Sequence, residues 1–233
     1  MTYGIYIENQ SGFTQIDENY ENLLVVESGT LSSSQNTLTV SASITNDFIV
    51  FVRPSSPVTT SQYNIACDNN KDDDHVFSVT CWQGSNLVPF YKRPCDYAIC
   101  VKASEFAEPT SGYGLNVYKA DGNIRWSSEY SQFRLQAARF SEVTATDIGT
   151  APDWYTTLDE NIWCLGGAYG IIRERVYNSL GETFLESQSW RAKFDYPASS
   201  FSTIVKTVTG DLTAPTYDVR MLGDKVELLG YIT

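Results

Sequence analysis

Histidine is all but missing from this chain: His75 is the only one in 233 residues. That removes multi-histidine zinc and iron sites, and it leaves a histidine-based catalytic relay no alternative member. Positive charge is scarce as well. Sixteen Lys and Arg stand against 28 Asp and Glu, for a net charge of −12, and the pI is near 4.4. The only local basic cluster is Lys92-Arg93, so there is no footprint for nucleic acid and none for an anionic membrane surface. No window approaches the roughly 18 continuous apolar residues of a membrane-spanning helix, so no membrane insertion is expected. The opening Met1-Thr2-Tyr3-Gly4-Ile5-Tyr6-Ile7-Glu8 lacks the basic region and apolar run of a secretion signal, which predicts cytoplasmic synthesis. Apolar spacing at 3.6 residues is nowhere sustained over three turns, so helix should be scarce.

Cysteine is sparse and odd in number. Cys67, Cys81, Cys95, Cys100 and Cys164 are irregularly spaced, with four of them between residues 67 and 100. A disulfide pair or a metal would be one use, but cytoplasmic synthesis favours reduced, partly buried thiols. Cys95 and Cys100 have four residues between them and no second such pair follows, which is a weak zinc-knuckle pattern and an ordinary strand near a turn.

Aromatic and β-branched residues are plentiful. Fifteen Tyr and 11 Phe, with many Thr, Val and Ser, lean towards strands, and a hydrophobic content of 42% supplies packed cores. One local pattern is written three times. Val117-Tyr118-Lys119-Ala120-Asp121-Gly122 leads to Trp126-Ser127-Ser128; Ile7 to Gly12 leads to Ile16-Asp17; Val176 to Gly181 leads to Phe184. In each, a β-branched residue stands five places before a glycine and a hydrophobic residue three or four places after it. Ser-Gly and Asp-Gly between such runs are hairpin signals, because glycine takes positive φ without a Cβ clash. Gly12, Gly122 and Gly181 are therefore the expected hairpin-turn glycines. Tyr3-Gly4 and Tyr113-Gly114 each precede their hairpin glycine by eight residues, and 122 minus 12 is 110 residues, about one domain length. The expectation is an all-β chain of two tandem β-sandwich-like domains related by an internal repeat, residues 1–110 and 111–233, with an additional hairpin in the second.

Strands are expected at residues 20–29, 37–45, 48–54, 75–82, 97–102, 133–140, 161–165, 201–208, 217–222 and 225–232. Phe48-Ile49-Val50-Phe51-Val52 is a continuous apolar run, the pattern of a strand buried on both faces. Residues 31–37 read as a polar loop.

Candidate chemistry is thin. Asp68-Asn69-Asn70-Lys71-Asp72-Asp73-Asp74-His75 offers carboxylates to a hard cation but lacks EF-hand spacing, so a solvated loop tip is favoured. Pairing His75 with Cys67 or Cys81 as base and nucleophile has no support in spacing. Gly166-Gly167-Ala168-Tyr169-Gly170 lacks the Lys and Ser or Thr of a phosphate loop, and a bulge or corner accounts for it better. Carboxylate pairs such as Asp153 with Asp159, or Glu182 with Glu186, are what chance supplies among 28 acids. No catalytic, metal or cofactor-binding residue is assigned. Trp82, Trp154 and Trp163 are the aromatics singled out for interaction, against the commoner use of Trp in cores.

Tyr113-Gly114-Leu115-Asn116-Val117 with Gly122 and Trp126-Ser127-Ser128 resembles a recurring segment of tailed-bacteriophage virion proteins, of the type Y-G-L-x-V-x-x-x-x-G. Tyr3-Gly4-Ile5-Tyr6-Ile7 with Ser11-Gly12 and Ile16-Asp17 is similar to it, and Phe48 to Pro54 resembles the strand that often follows. The third copy departs, with Leu180 before Gly181 and Tyr169-Gly170 three residues farther upstream. The resemblance implies a non-enzymatic virion component at the tail tip or fibre attachment, made in the host cytoplasm. Its partners would be other virion tail proteins and further copies of itself around the tail axis. Two alternatives stand beside it: a module binding a host-surface saccharide, and a head decoration protein.

Overall fold

The computed structural model describes residues 7–8, 14–16, 23–44, 47–70, 73–84, 91–103, 115–118, 122, 124–128, 130–142, 155–166, 171–177, 183–211 and 224–232. Strand predominates among them, joined by turns and loops, with no α-helix. The all-β expectation holds.

Six antiparallel strands close a barrel. In order around it they are β12 (Gln132–Glu142), β17 (Asp224–Ile232), β13 (Trp163–Leu165), β5 (Phe48–Pro54), β9 (Cys95–Lys102) and β3 (Leu23–Leu31). The closing pairs are Gln132 with Leu24 and Phe133 with Leu23. Against the barrel lies a seven-stranded sheet. Its path runs β14 (Ile171–Tyr177), β15 (Thr183–Asp195), β6 (Gln62–Asn70), β7 (Asp73–Gln83) and β4 (Thr37–Thr39), with β16 (Ser200–Asp211) beside β15 and β8 (Tyr91–Arg93) beside β7. Two hairpins form sheets of their own: β1 (Ile7–Glu8) with β2 (Thr14–Ile16), and β10 (Asn116–Tyr118) with β11 (Ile124–Ser127).

Alternation along the strands builds two cores. Leu23, Val25, Ile49, Phe51, Ala98, Cys100, Phe133, Trp163, Leu165, Leu228 and Ile232 pack together. They come from all six barrel strands, which places them in the lumen. Phe51 stacks on Phe133 with centroids 3.5 Å apart. The intervening residues Val50, Val52, Cys95, Ile99, Cys164 and Leu229 turn outward and pack on Ile65, Cys67, Val79, Cys81, Ala192, Phe194 and Phe201 of the sheet. Strand β5 is thus buried on both faces, as its unbroken apolar run predicts, and full burial of Phe51 or Val52 stabilises by roughly 1.5–3 kcal/mol each.

Glycine sets two close approaches. Gly230 lies opposite Trp163 and Leu135, and a Cβ there would collide with the Arg134 carbonyl oxygen and reach 2.6 Å from the Phe133 ring. Gly29 lies opposite Tyr97, whose ring crosses it: a Cβ would meet Tyr97 Oη at 2.8 Å.

The strand expected over residues 37–45 is shorter. β4 ends at Thr39, Val40 still donates to the His75 carbonyl at 2.8 Å, and the chain then turns with Ile44 N donating to Ser41 O at 2.9 Å. The Ser41 and Ser43 hydroxyls bond each other at 2.8 Å, local bonding of the kind that competes with a ladder. The loop expected at residues 68–75 is also mostly strand. β6 runs to Asn70, β7 starts at Asp73, and Asn70 pairs with Asp73. The strand expected at 217–222 lies outside the described residues.

Hydrogen-bonded ladders cross the boundary expected between residues 110 and 111. The barrel takes β3, β5 and β9 from before it and β12, β13 and β17 from after it; Cys164 pairs with Val52, and in the sheet Ala192 pairs with Ile65. The two stretches share both sheets.

Candidate functional site

The three hairpin segments come first, because they carry the sequence pattern. Ile7 pairs with Ile16 and Glu8 with Thr14 across the first, whose Gly12 lies outside the described residues. In the second, Asn116 pairs with Ser127, Val117 with Trp126 and Tyr118 with Ile124. Gly122 at its tip has φ +88°, is exposed, and would find no atom within 4 Å of an added Cβ. The turn therefore needs glycine for its backbone angle and not for space. Leu115 N donates to Ser128 Oγ at 2.8 Å, and Ser128 N to the Leu115 carbonyl at 2.9 Å, which ties the base of this hairpin. Leu115 and Tyr118 are 60% and 49% exposed. In the third, Tyr177 pairs with Thr183 around Gly181, which is outside the described residues, and β14–β15 continues into the seven-stranded sheet.

At one end of the barrel a polar cluster gathers residues far apart in sequence. Arg53 is the last residue but one of β5, and its Nε reaches Asp96 Oδ2 at 3.1 Å. Its Nη1 donates to Asn161 Oδ1 at 3.4 Å, and its guanidinium lies 4.5 Å over the Trp163 ring. Thr30 Oγ1 donates to Asp96 Oδ1 at 2.7 Å. Asp159 in turn accepts from Asn161 N at 2.7 Å and from Tyr231 Oη at 3.0 Å. Burial, and then the bond to Asp159, pushes the Tyr231 phenol well above its ordinary range. The cluster ties the segment carrying Asp159 and Asn161 to the ends of β3, β5, β9 and β17. Sequence alone offered no signal for it, because residues 30, 53, 96, 159, 161 and 231 share no motif.

Of the singled-out tryptophans, Trp163 is buried in the lumen beneath Arg53. Trp82 is half-buried on β7, opposite Asn64 of β6 and Lys92 of β8. Trp154 lies outside the described residues. The register extends the Trp82 row through Asn64 to Lys193 and Ser202. Beside it Lys193 Nζ lies 3.3 Å from Asp195 Oδ2, which also accepts from Gln62 Nε2 at 2.6 Å. Asn64 Oδ1 and Ser202 Oγ in this row are buried without a hydrogen-bond partner.

All five cysteines are buried and none is joined in a disulfide. Desolvation pushes the Cys100 thiol up to about 12, and the thiols of Cys81 and Cys95 well above their ordinary value, with neighbouring cysteines adding to the rise at both. Such thiols stay protonated and are poor nucleophiles. The His75 ring sits 3.1 Å from the Ile44 carbonyl oxygen and 5.3 Å from the Phe48 ring. Among the described residues no group of three or more His, Cys, Asp or Glu is placed to hold a metal ion, and no helix is long and apolar enough to cross a membrane.

No protein-family model, no curated protein and no solved structure matches the chain. The chemistry of its own surface must carry any functional reading.

Proposed function

We propose that this chain is a non-enzymatic structural component of a bacteriophage virion, placed at the tail tip or fibre attachment and acting by protein–protein assembly, with further copies of itself and other tail proteins as partners. The observation that carries this reading is the pair of hairpins that stand as separate two-stranded sheets. Both coincide with the segments that resemble virion proteins, and one presents Leu115 and Tyr118 to solvent. A lone two-stranded hairpin is marginal in water, and its unpaired backbone edges are ready for a neighbour's strand. Ribbons that outrun the body add to this. β12–β17 stays paired as far as Glu142 with Asp224, well past the last β3 partner at Phe133, and β15–β16 continues out to Phe184 with Asp211.

Electron microscopy of particles carrying an affinity label on this protein tests the reading. Label at the tail end is expected; label over the head surface would make it a decoration protein, and unlabelled particles would end the virion reading.

A second reading has one observation in its favour. The row Ser202, Lys193, Asn64, Trp82 and Lys92 combines an indole, two ammonium groups and two unpartnered buried polar atoms, a mixture suited to a host-surface saccharide. Binding of the isolated protein on a glycan array, lost in Trp82→Ala, would favour it; a blank array would remove it.

A further inference from the structure

The surface in question is the edge strand β8. Its three residues, Tyr91, Lys92 and Arg93, are all exposed, with Tyr91 at 62%. Lys92 and Arg93 are the only two Lys or Arg that stand side by side in a chain of net charge −12. β8 pairs with β7 through Cys81–Arg93, Trp82–Lys92 and Gln83–Tyr91, and among the described residues no strand pairs with its other side. The hydrogen bonds these two cations make in the structure go to neutral amides. Lys92 Nζ donates to Asn36 Oδ1 at 3.2 Å and Arg93 Nε to Gln83 Oε1 at 2.5 Å. Their charges thus remain available to an outside partner. An open edge with a large aromatic and two cations is an anchor-and-charge surface, and its partner must be acidic.

We infer that the β8 edge docks a second copy of this chain. The chain itself is the acidic protein that charge complementarity requires, and its placement of charge favours contact between unlike ends. β7 begins with Asp73 and Asp74, part of the densest acidic run in the sequence, whereas β8 pairs with its end. Seven to nine residue steps of strand separate Asp73 and Asp74 from Cys81 and Trp82, the partners of Arg93 and Lys92, about 24 to 31 Å. The basic edge of one copy therefore cannot meet the acidic start of its own β7, but it can meet that of the next. Such a contact is head-to-tail, and copies related by a rotation close into a ring. The inference rests on reading the chain as an assembling component, and it supplies that reading with a contact.

Sedimentation velocity on the full-length chain tests it. Wild type is expected to self-associate at about 0.05 M NaCl and to shift towards monomer at about 0.5 M, where the screening length falls to a few ångströms. Lys92→Glu/Arg93→Glu should weaken association about tenfold or more, as loss of two charge pairs and their replacement by repulsion implies. Asp73→Lys/Asp74→Lys should do the same from the other end. An equimolar mixture of the two variants should then give dimers, because each keeps one competent end. Circular dichroism checks that the variants fold, and Lys92→Gln/Arg93→Gln is the milder substitute if the charge reversal does not. Wild type that stays monomeric at low salt, or an oligomer that both variants preserve, overturns the contact. The position of the label on particles is read separately, so the virion reading stands or falls without it.

Discussion

Gly230 and Gly122 show how one residue type answers two different demands. At Gly230 the obstacle is space: an added Cβ would press on the Arg134 carbonyl oxygen and on the Phe133 ring that stacks with Phe51. Backbone cannot step aside as a side-chain tip can, so Gly230→Ala should cost about 3 kcal/mol, at the upper end of overpacking. At Gly122 there is room but φ is +88°, and Gly122→Ala should cost about 1 kcal/mol through strain alone. Urea denaturation midpoints of the two variants measure the contrast, and equal losses would refute it. The buried thiols make a separate prediction about pH. Burial lifts Cys100 from an ordinary value of 9.0 to about 12. A thiol that ionises less readily folded than unfolded contributes its full stability below 9.0 and loses it as pH climbs towards 12. Stability should therefore decline on the alkaline side of 9, and Cys100→Ala should flatten that decline in melts taken across the range.

Strands with one buried and one solvated face, or two buried faces, wrote themselves into the sequence. The Phe48–Val52 run is unbroken because Ile49 and Phe51 enter the lumen while Val50 and Val52 meet the sheet. The period of two over residues 133–140 likewise belongs to a strand, β12. The end of β6 carries no strand signal, because Asp68-Asn69-Asn70 are turn-forming residues drawn into a ladder by their partner β7, a tertiary influence that outweighs local propensity. The end cluster of the barrel was equally invisible, since its members are joined by packing and not by spacing. Arg53 is the element that decides its strength: it makes an ion pair with Asp96, whose side chain is 14% exposed, and stacks on Trp163. Arg53→Ala removes both and leaves the Asp96 carboxylate, among the described residues, with only the Thr30 hydroxyl, at an expected cost of about 2 kcal/mol. Arg53→Lys keeps the charge but not the planar fork, and should cost about 1 kcal/mol. A double-mutant cycle with Asp96→Asn separates the ion pair from the stacking; a lysine variant as stable as wild type would assign the whole effect to charge.

At the scale of the molecule, the repeat in the sequence speaks for hairpins and not for which strands pair. A glycine turn with flanking apolar residues is a local statement of some twelve residues, satisfied equally by a hairpin inside one domain or between shared sheets. The ladders settle the pairing: β3 closes on β12, β5 on β13 and β6 on β15, each joining a strand from before residue 111 to one from after it. The lumen core mixes Phe51 and Cys100 from the first stretch with Phe133, Trp163 and Leu228 from the second. Neither stretch alone can close the barrel, because removing the other leaves β3 and β5 with open edges and half a lumen facing water. Residues 1–110 and 111–233, expressed separately, should therefore each lack a cooperative thermal transition and aggregate. Co-expressed, they should recover a complex whose circular dichroism matches the intact chain. Two fragments that each melt cooperatively on their own would show instead that the stretches fold as independent units, and that the shared ladders form only after each has its own core.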